Sequence, residues 1–291
     1  MEAKYDVLCY GAISLDISGR VQMPWSAGMQ SSAVDYMLSP GGDASLVALT
    51  LAGLGMKVAL SGGPVGDDSM GQYLRGVFTA AGVDLYGDGQ GKTSVTAIAV
   101  TPSGERSSIT YHEDTPAERI PVPVGLVPQA RFVYVDGCYG ANVTVAGAAA
   151  KEAGVPALLN LYEPGLDIVG LFDVVVANEG VAGRISGDPL DAAEAIRVKG
   201  AGLSIVTMGH RGCICSNSGL LTVPAYKVKA VDTTGAGAAF TAGFIYARLQ
   251  SFNVLDSLRI ASAAGAYKCM ARGSYRLFTA EKLFEFINSA E

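Results

Sequence analysis

The sequence predicts an α/β fold: a central, mostly parallel sheet flanked by helices, with a small β-sheet lid. Three observations carry this. Short β-branched runs alternate with longer Ala-rich runs of helical period along the chain. The strand runs are apolar throughout, as strands covered by helices on both faces must be. Two segments, about 14–38 and 93–112, instead alternate apolar and polar residues with period two, the mark of half-exposed strands.

Taken in order, residues 5–10 (YDVLCY) predict a buried strand stopped at Gly11. The first lid segment follows, and then a helix over 44–54 (ASLVALTLAGL) ended by Gly55. A strand at 57–61, the loop GGPVGDD and a helix from Ser69 to Ala81 lead to the second lid segment, TSVTAIAVTPSGERSSITYH. Both lid segments are expected to form antiparallel strands outside the main sheet. Further strands are predicted at 132–135, 157–161, 173–177 and 203–207. Helices are predicted at 142–153, 190–199, 239–250, 255–271 and 280–289. No repeat, low-complexity tract or linker divides the chain, so residues 1–291 are expected to form one domain with its lid.

Composition narrows the function. With 49% hydrophobic and 16% charged residues, the 291-residue chain can bury a large core. A net charge of −6 argues against nucleic acid, whose phosphate backbone needs a basic surface. The Ala/Gly-rich stretch 137–150 is too short and too weakly apolar for a membrane span. The N-terminus carries an acid early and no long apolar run, so no signal peptide is expected. Five Cys at irregular spacing (9, 138, 213, 215 and 269) fit free thiols in a reducing cytoplasm. Cys213 and Cys215 share one face of a strand-like stretch, but with only His210 nearby they do not make a zinc set.

The sharpest feature is 232–244, DTTGAGAAFTAGF. Gly235, Ala236 and Gly237 stand just before an apolar helix. Amides at a helix N-terminus favour an anion through their unpaired N–H groups and the helix dipole. By itself such a turn reads equally as a plain tight turn.

The whole string resembles the second signature of the ribokinase/PfkB carbohydrate kinase family, usually DTTGAGD. Residues 41–55 (GGDASLVALTLAGLG) resemble the family's first signature. Residues 62–85 (GGPVGDDSMGQYLRGVFTAAGVDL) and 206–213 (VTMGHRGC) are similar to its intervening and later segments, in the family's order. The resemblance implies a ribokinase-like fold and ATP-dependent phosphorylation of a hydroxyl on a sugar or related small molecule. Mg2+ would accompany the ATP, and K+ serves in the potassium-activated members.

Position by position, the resemblance gives Gly235, Ala236 and Gly237 the stabilisation of the transferring phosphoryl group, where charge stabilisation does most of the catalysis. The family's proton-accepting Asp falls on Ala238, whose methyl cannot accept a proton. Loss of a general base costs roughly 10²–10⁴-fold in rate. Asp232, Thr234 and Gly273 match a monovalent-cation loop. Asn178 opens the family's N-x-x-E motif, whose Glu is Val181 here, with Glu179 as a candidate substitute. Thr207, Gly209 and Gly212 match the nucleotide side of the cleft, and Ser262 a spot near the adenine. On the acceptor side, Asp16 and Asp43 can accept hydrogen bonds from hydroxyls, and Gly41 and Gly42 match the hinge between lid and core. The family's next polar contact is Leu46 here. Arg106 and His112 lie on the lid. Asn142 either lines the cleft or caps a helix.

The acceptor is expected to be a sugar. A nucleoside remains the alternative, since Trp25 and nearby Met residues could stack a base. Ala238 admits two origins. An intact surrounding turn suits a single engineered exchange of Asp for Ala. The departures at Leu46 and Val181 suit a natural pseudokinase that binds a sugar or nucleotide without turnover. The apolar alternation at 95–100 (VTAIAV) would permit a homodimer through the β lid.

Overall fold

The structure is a computed structural model. It describes residues 3–21, 30, 32–87, 89, 91–101, 106–111 and 120–290, the side chain of Arg106 excepted. The strands are β1 (Tyr5–Gly11), β2 (Ser14–Val21), β3 (Ala33–Gly41), β4 (Val58–Gly62), β5 (Val83–Tyr86), β6 (Val95–Val100) and β7 (Arg106–Tyr111). They continue with β8 (Ala130–Asp136), β9 (Ala157–Leu161), β10 (Val174–Asn178), β11 (Leu203–Thr207), β12 (Cys213–Ser216) and β13 (Leu220–Val223). The helices are α1 (Asp43–Gly53), α2 (Ser69–Ala80), α3 (Ala141–Ala153), α4 (Glu179–Ile185), α5 (Pro189–Val198), α6 (Ala236–Leu249), α7 (Val254–Cys269) and α8 (Ala280–Ala290).

A nine-stranded sheet runs in the order β13-β12-β11-β10-β9-β8-β1-β4-β5. It is parallel from β11 to β5, and the β12–β13 hairpin adds an antiparallel edge. Alternate strand residues feed two separate cores. Val7, Cys9, Phe132, Tyr134, Val174 and Val176 join one. Leu8, Tyr10, Val133, Val135, Val175 and Ala177 join the other. Both faces must be apolar because helices cover both, which is why these strands show no polar alternation.

The second sheet has four strands in the order β3-β2-β6-β7. Here one expectation is corrected. The β2–β3 and β6–β7 pairs are antiparallel, but β2 and β6 run parallel. The chain leaves this sheet after β3, builds α1, β4, α2 and β5 in the main body, and returns along the same direction. A local hairpin would have forced antiparallel pairing; a long crossover does not. The period-two pattern reveals the strands but not this connection. The pattern also misses β5, β13 and α4, which span only four to seven residues and show too little of any period.

Helix α6 carries the turn at 232–235 into the core. Residues 238–247 are all buried, so the helix is apolar all round and cannot show a polar face. It lies against α7 through small residues. A Cβ placed on Gly243 would stand 2.8 Å from Ala264 Cβ and 3.1 Å from Ala261 Cα. The separation of the two helices that flank the cleft therefore depends on a missing methyl.

The variant Gly243→Val is expected to lose about 1–3 kcal/mol of stability through overpacking. Gly76→Ala, at an exposed helix position with nothing within 4 Å, is expected to gain about 0.5–1 kcal/mol. Urea denaturation of both variants measures the two effects. Equal stability of Gly243→Val and the parent would refute the close-packing assignment.

Candidate active site

In open parallel sheets, ligands gather beyond the carboxyl ends of the strands. Two groups of side chains meet there, one on each side of the N-terminus of α6. The turn itself is set by Gly235, the N-cap of α6, at φ 76°. A Cβ on it would come within 1.9 Å of the Ser274 carbonyl oxygen and 3.3 Å of Leu46 Cδ1. Only glycine fits, and no side chain caps the first amides of the helix. Ala238, 1% exposed, and Leu46 both belong to the core beneath the turn.

On one side lies a cavity of about 530 Å³. It brings together Thr207, Gly209, Gly212, Ser262, Ala236 and Gly237 from three separate parts of the sequence. Gly212, at φ 95°, would drive a Cβ to 2.0 Å from the Val223 carbonyl. The Ser262 hydroxyl donates to the Pro224 carbonyl at 3.3 Å, and the Thr207 hydroxyl to the Ala177 carbonyl at 3.4 Å. The segment 225–230, whose Tyr226, Lys227 and Val228 line the same cavity, carries no motif or periodicity that marks it. Volume, apolar walls and a helix N-terminus at one end suit a nucleotide with its phosphates at the turn.

Asn178 ends β10 in register with Thr207. Its side-chain oxygen accepts from the Val181 amide at 3.0 Å and so caps α4. Val181 is buried, and Glu179 is ion-paired with Arg211. Among the described residues, no three His, Cys, Asp or Glu side chains gather where they could hold a metal ion. A nucleotide's Mg2+ takes most of its ligands from phosphate and water and needs few from the protein.

On the other side stand three carboxylates. Asp16, on β2, is 5% exposed and accepts from the hydroxyls of Ser14 (3.1 Å) and Ser274. Gly41 lies so close that a Cβ would meet Asp16 Oδ1 at 1.8 Å. Gly42, at φ 82°, would meet the Ala12 carbonyl at 2.4 Å. Asp43 opens α1 and accepts from the Tyr162 hydroxyl. Asp136, at the end of β8, is 1% exposed; it accepts from the amides of Ala12 (3.1 Å) and Cys138 (3.2 Å). Burial pushes the pKa of Asp16 and of Asp43 upward. Burial and the neighbouring charge of Asp43 push Asp136 up to about 7. Asp136, Tyr162 and Ser274 were not found from sequence. The only available signal was an acid closing the apolar run FVYVD.

Asn142 does not cap the helix. Gly140 is the N-cap of α3, and the Asn142 amide donates to the Tyr10 hydroxyl (3.1 Å) and the Ile120 carbonyl (3.0 Å). The Arg106 side chain, His112 and Trp25 lie outside the described residues.

The loop expected to hold a monovalent cation is occupied by donors. Asp232 Oδ1 accepts from the Thr234 amide (2.9 Å) and hydroxyl (2.7 Å), and Oδ2 from the Gly273 amide (3.0 Å). The Asp232 carbonyl accepts from Lys268 Nζ at 2.9 Å. Burial alone would raise the pKa of Asp232; the hydrogen bonds from Thr234 and Gly273 and the charge of Lys268 outweigh it and hold the carboxyl below its ordinary range. A cation needs oxygen lone pairs, and here Thr234 and Gly273 present hydrogens. These residues do not fit a free K+.

Comparison with known proteins agrees with this geometry. Residues 4–280 match the model of the pfkB family carbohydrate kinases. The chain is 25% identical to the ribokinase of Haemophilus influenzae, across 96% of this chain and 97% of that protein. It is 28% identical to the ATP-dependent ribose-1-phosphate kinase of Halopiger xanaduensis, across 97% and 98%. Its fold matches the crystal structure of adenosine kinase from Sinorhizobium meliloti with a TM-score of 0.84, at 24% identity and across 99% of this chain and all of that one. With a two-sided cleft at the N-terminus of α6 and a family match along nearly its whole length, this chain belongs to the pfkB family of carbohydrate kinases.

Proposed function

We propose that this chain binds ATP, with Mg2+, in the cavity beside α6, and a small polyhydroxylated acceptor beside Asp16 and Asp43. A sugar is favoured over a nucleoside because the acceptor side is built around three carboxylates, Asp16, Asp43 and Asp136, that can hydrogen-bond to several hydroxyls. The observation that carries the reading is Gly235. Its left-handed turn, pressed against Ser274, leaves the first amides of α6 without a side-chain cap, where a phosphoryl group would sit. The second sheet acts as a lid over the acceptor, hinged at Gly41 and Gly42.

In this reading the chain binds both partners but transfers phosphate poorly, because nothing at Ala238 takes the hydroxyl proton. Leu46 bears on the origin of Ala238. A single engineered exchange would leave polar neighbours behind it. Leu46 instead packs against the turn and shares a core with Ala238. That favours natural loss of the base, and with it a pseudokinase that senses a sugar or nucleotide, over an engineered trap. The free cysteines fit work in a reducing cytoplasm. The outer face of the lid sheet exposes Val34, Tyr36, Leu38, Ile109 and Tyr111. Two copies pairing through this face would bury it.

Calorimetry with ATP and Mg2+ is expected to show binding, and the parent chain is expected to turn over far below the roughly 1–100 s⁻¹ of ordinary kinases. Ala238→Asp, combined with Leu46→Asn to supply a polar neighbour, is expected to raise phosphate transfer to one member of a sugar panel by about 10²-fold or more. Ordinary kinase rates in the parent chain would sink the assignment of the missing base.

The carboxylates also set a pH dependence. Asp136 binds its proton more tightly in the folded chain, at about 7, than an ordinary Asp at 3.8, the value taken for the unfolded chain. Between those values the folded state holds more protons than the unfolded one. Stability must therefore fall as pH rises, by up to about 1.4 kcal/mol per pH unit from this group. Asp16 and Asp43 shift in the same direction. Asp136→Asn is expected to flatten the slope between pH 5 and 7 in urea titrations, whatever it does to the baseline. An unchanged slope in that variant would remove Asp136 as its source.

A further inference from the structure

Lys268 is the next-to-last residue of α7, and it is 1% exposed. An ammonium taken out of water is costly unless its surroundings replace the lost hydration. Its Nζ reaches across 36 positions of sequence to the Asp232 carbonyl at 2.9 Å. The position suits positive charge for two further reasons. It lies in the last turn of α7, where the helix dipole is negative. The Asp232 carboxylate lies close enough for the charge of Lys268 to strengthen its acidity. Around it, the amides of Val231 (2.7 Å) and Asp232 (3.1 Å) donate to the Cys269 carbonyl, so the end of α7 and the start of the anion turn are stitched together.

The chain thus keeps a place for a cation under the turn at 232–235 and fills it covalently. Thr234 and Gly273 present hydrogens to the Asp232 side chain, and the Lys268 ammonium takes the Asp232 carbonyl. We infer that the Lys268 ammonium is a built-in replacement for a dissociable monovalent cation. It holds the 232–235 loop in place and lends positive charge beneath the anion turn, so loop order and nucleotide binding do not depend on K+. The nucleotide half of this statement rests on the proposed function; the loop half stands without it.

The test compares KCl with choline chloride at equal ionic strength. Ligand-free parent protein is expected to melt within about 1 °C in the two salts. Lys268→Ala leaves room for a small cation. It is expected to melt lower in choline chloride and to recover at least half the loss in KCl or methylammonium chloride. For a fluorescent ATP analogue, affinity of the parent is expected to differ by less than 2-fold between salts, and that of Lys268→Ala to tighten at least 5-fold in KCl. A parent Tm that rises several degrees in KCl overturns the inference, as does a Lys268→Ala variant that melts like the parent in both salts. Should Lys268→Ala fail to fold, the parent's salt comparison alone decides. Should the analogue bind in neither salt, the nucleotide reading fails while the ligand-free melting still decides the cation.

Discussion

Asp232 joins two stretches of chain that are far apart in sequence, the turn before α6 and the end of α7. Its side-chain oxygens receive Thr234 just downstream and the Gly273 amide beyond α7, while its carbonyl receives Lys268. Each contact on the side chain is a charge-assisted hydrogen bond, stronger than a neutral one and worth more where water is excluded. Through them the turn before α6 is fixed relative to the end of α7. Gly235 then has one conformation available, because Ser274, next to Gly273, leaves no room for a Cβ. The turn is held because a half-buried carboxylate keeps its three donors in place.

The rest of the architecture serves that turn. Helix α6 must be buried all round to place its N-terminus at the carboxyl ends of the parallel strands, and small residues let α7 approach it closely. The two-sided apolar strands follow from the same arrangement, since helices lie on both faces of the sheet. The second sheet is polar where Asp16 and Ser39 face Ser274, and apolar on its outer side, where Leu38, Ile17, Ala97 and Ile109 lie in one row.

What is missing from the site is as informative as what is present. The turn, hinge and cavity persist while position 238 carries a methyl and position 46 a leucine packed on the turn. Binding and proton removal depend on different atoms, so one can persist after the other is gone. Asp16, Asp43 and Asp136, driven toward their protonated forms by burial, are acceptors and donors for hydroxyls rather than uniformly charged groups.

The sequence by itself determined the fold class, the family and the glycine turn. Those depend on local periodicity and on short contiguous strings such as DTTGAG and GGDASL, where neighbours in sequence are neighbours in space. It also singled out Ala238, because a departure from a contiguous motif is visible wherever the string around it is complete. Only the tertiary structure decided the parallel β2–β6 pairing, the placing of Asp136, Tyr162 and Ser274 near the acceptor side, and the structural role of Asn142. Lys268 is the clearest case. In the string AGAYKCMARG it reads as an ordinary surface lysine at the end of a helix. Its burial and its contact with Asp232 arise from the packing of α7 against α6, a long-range arrangement that leaves no mark on local residue pattern.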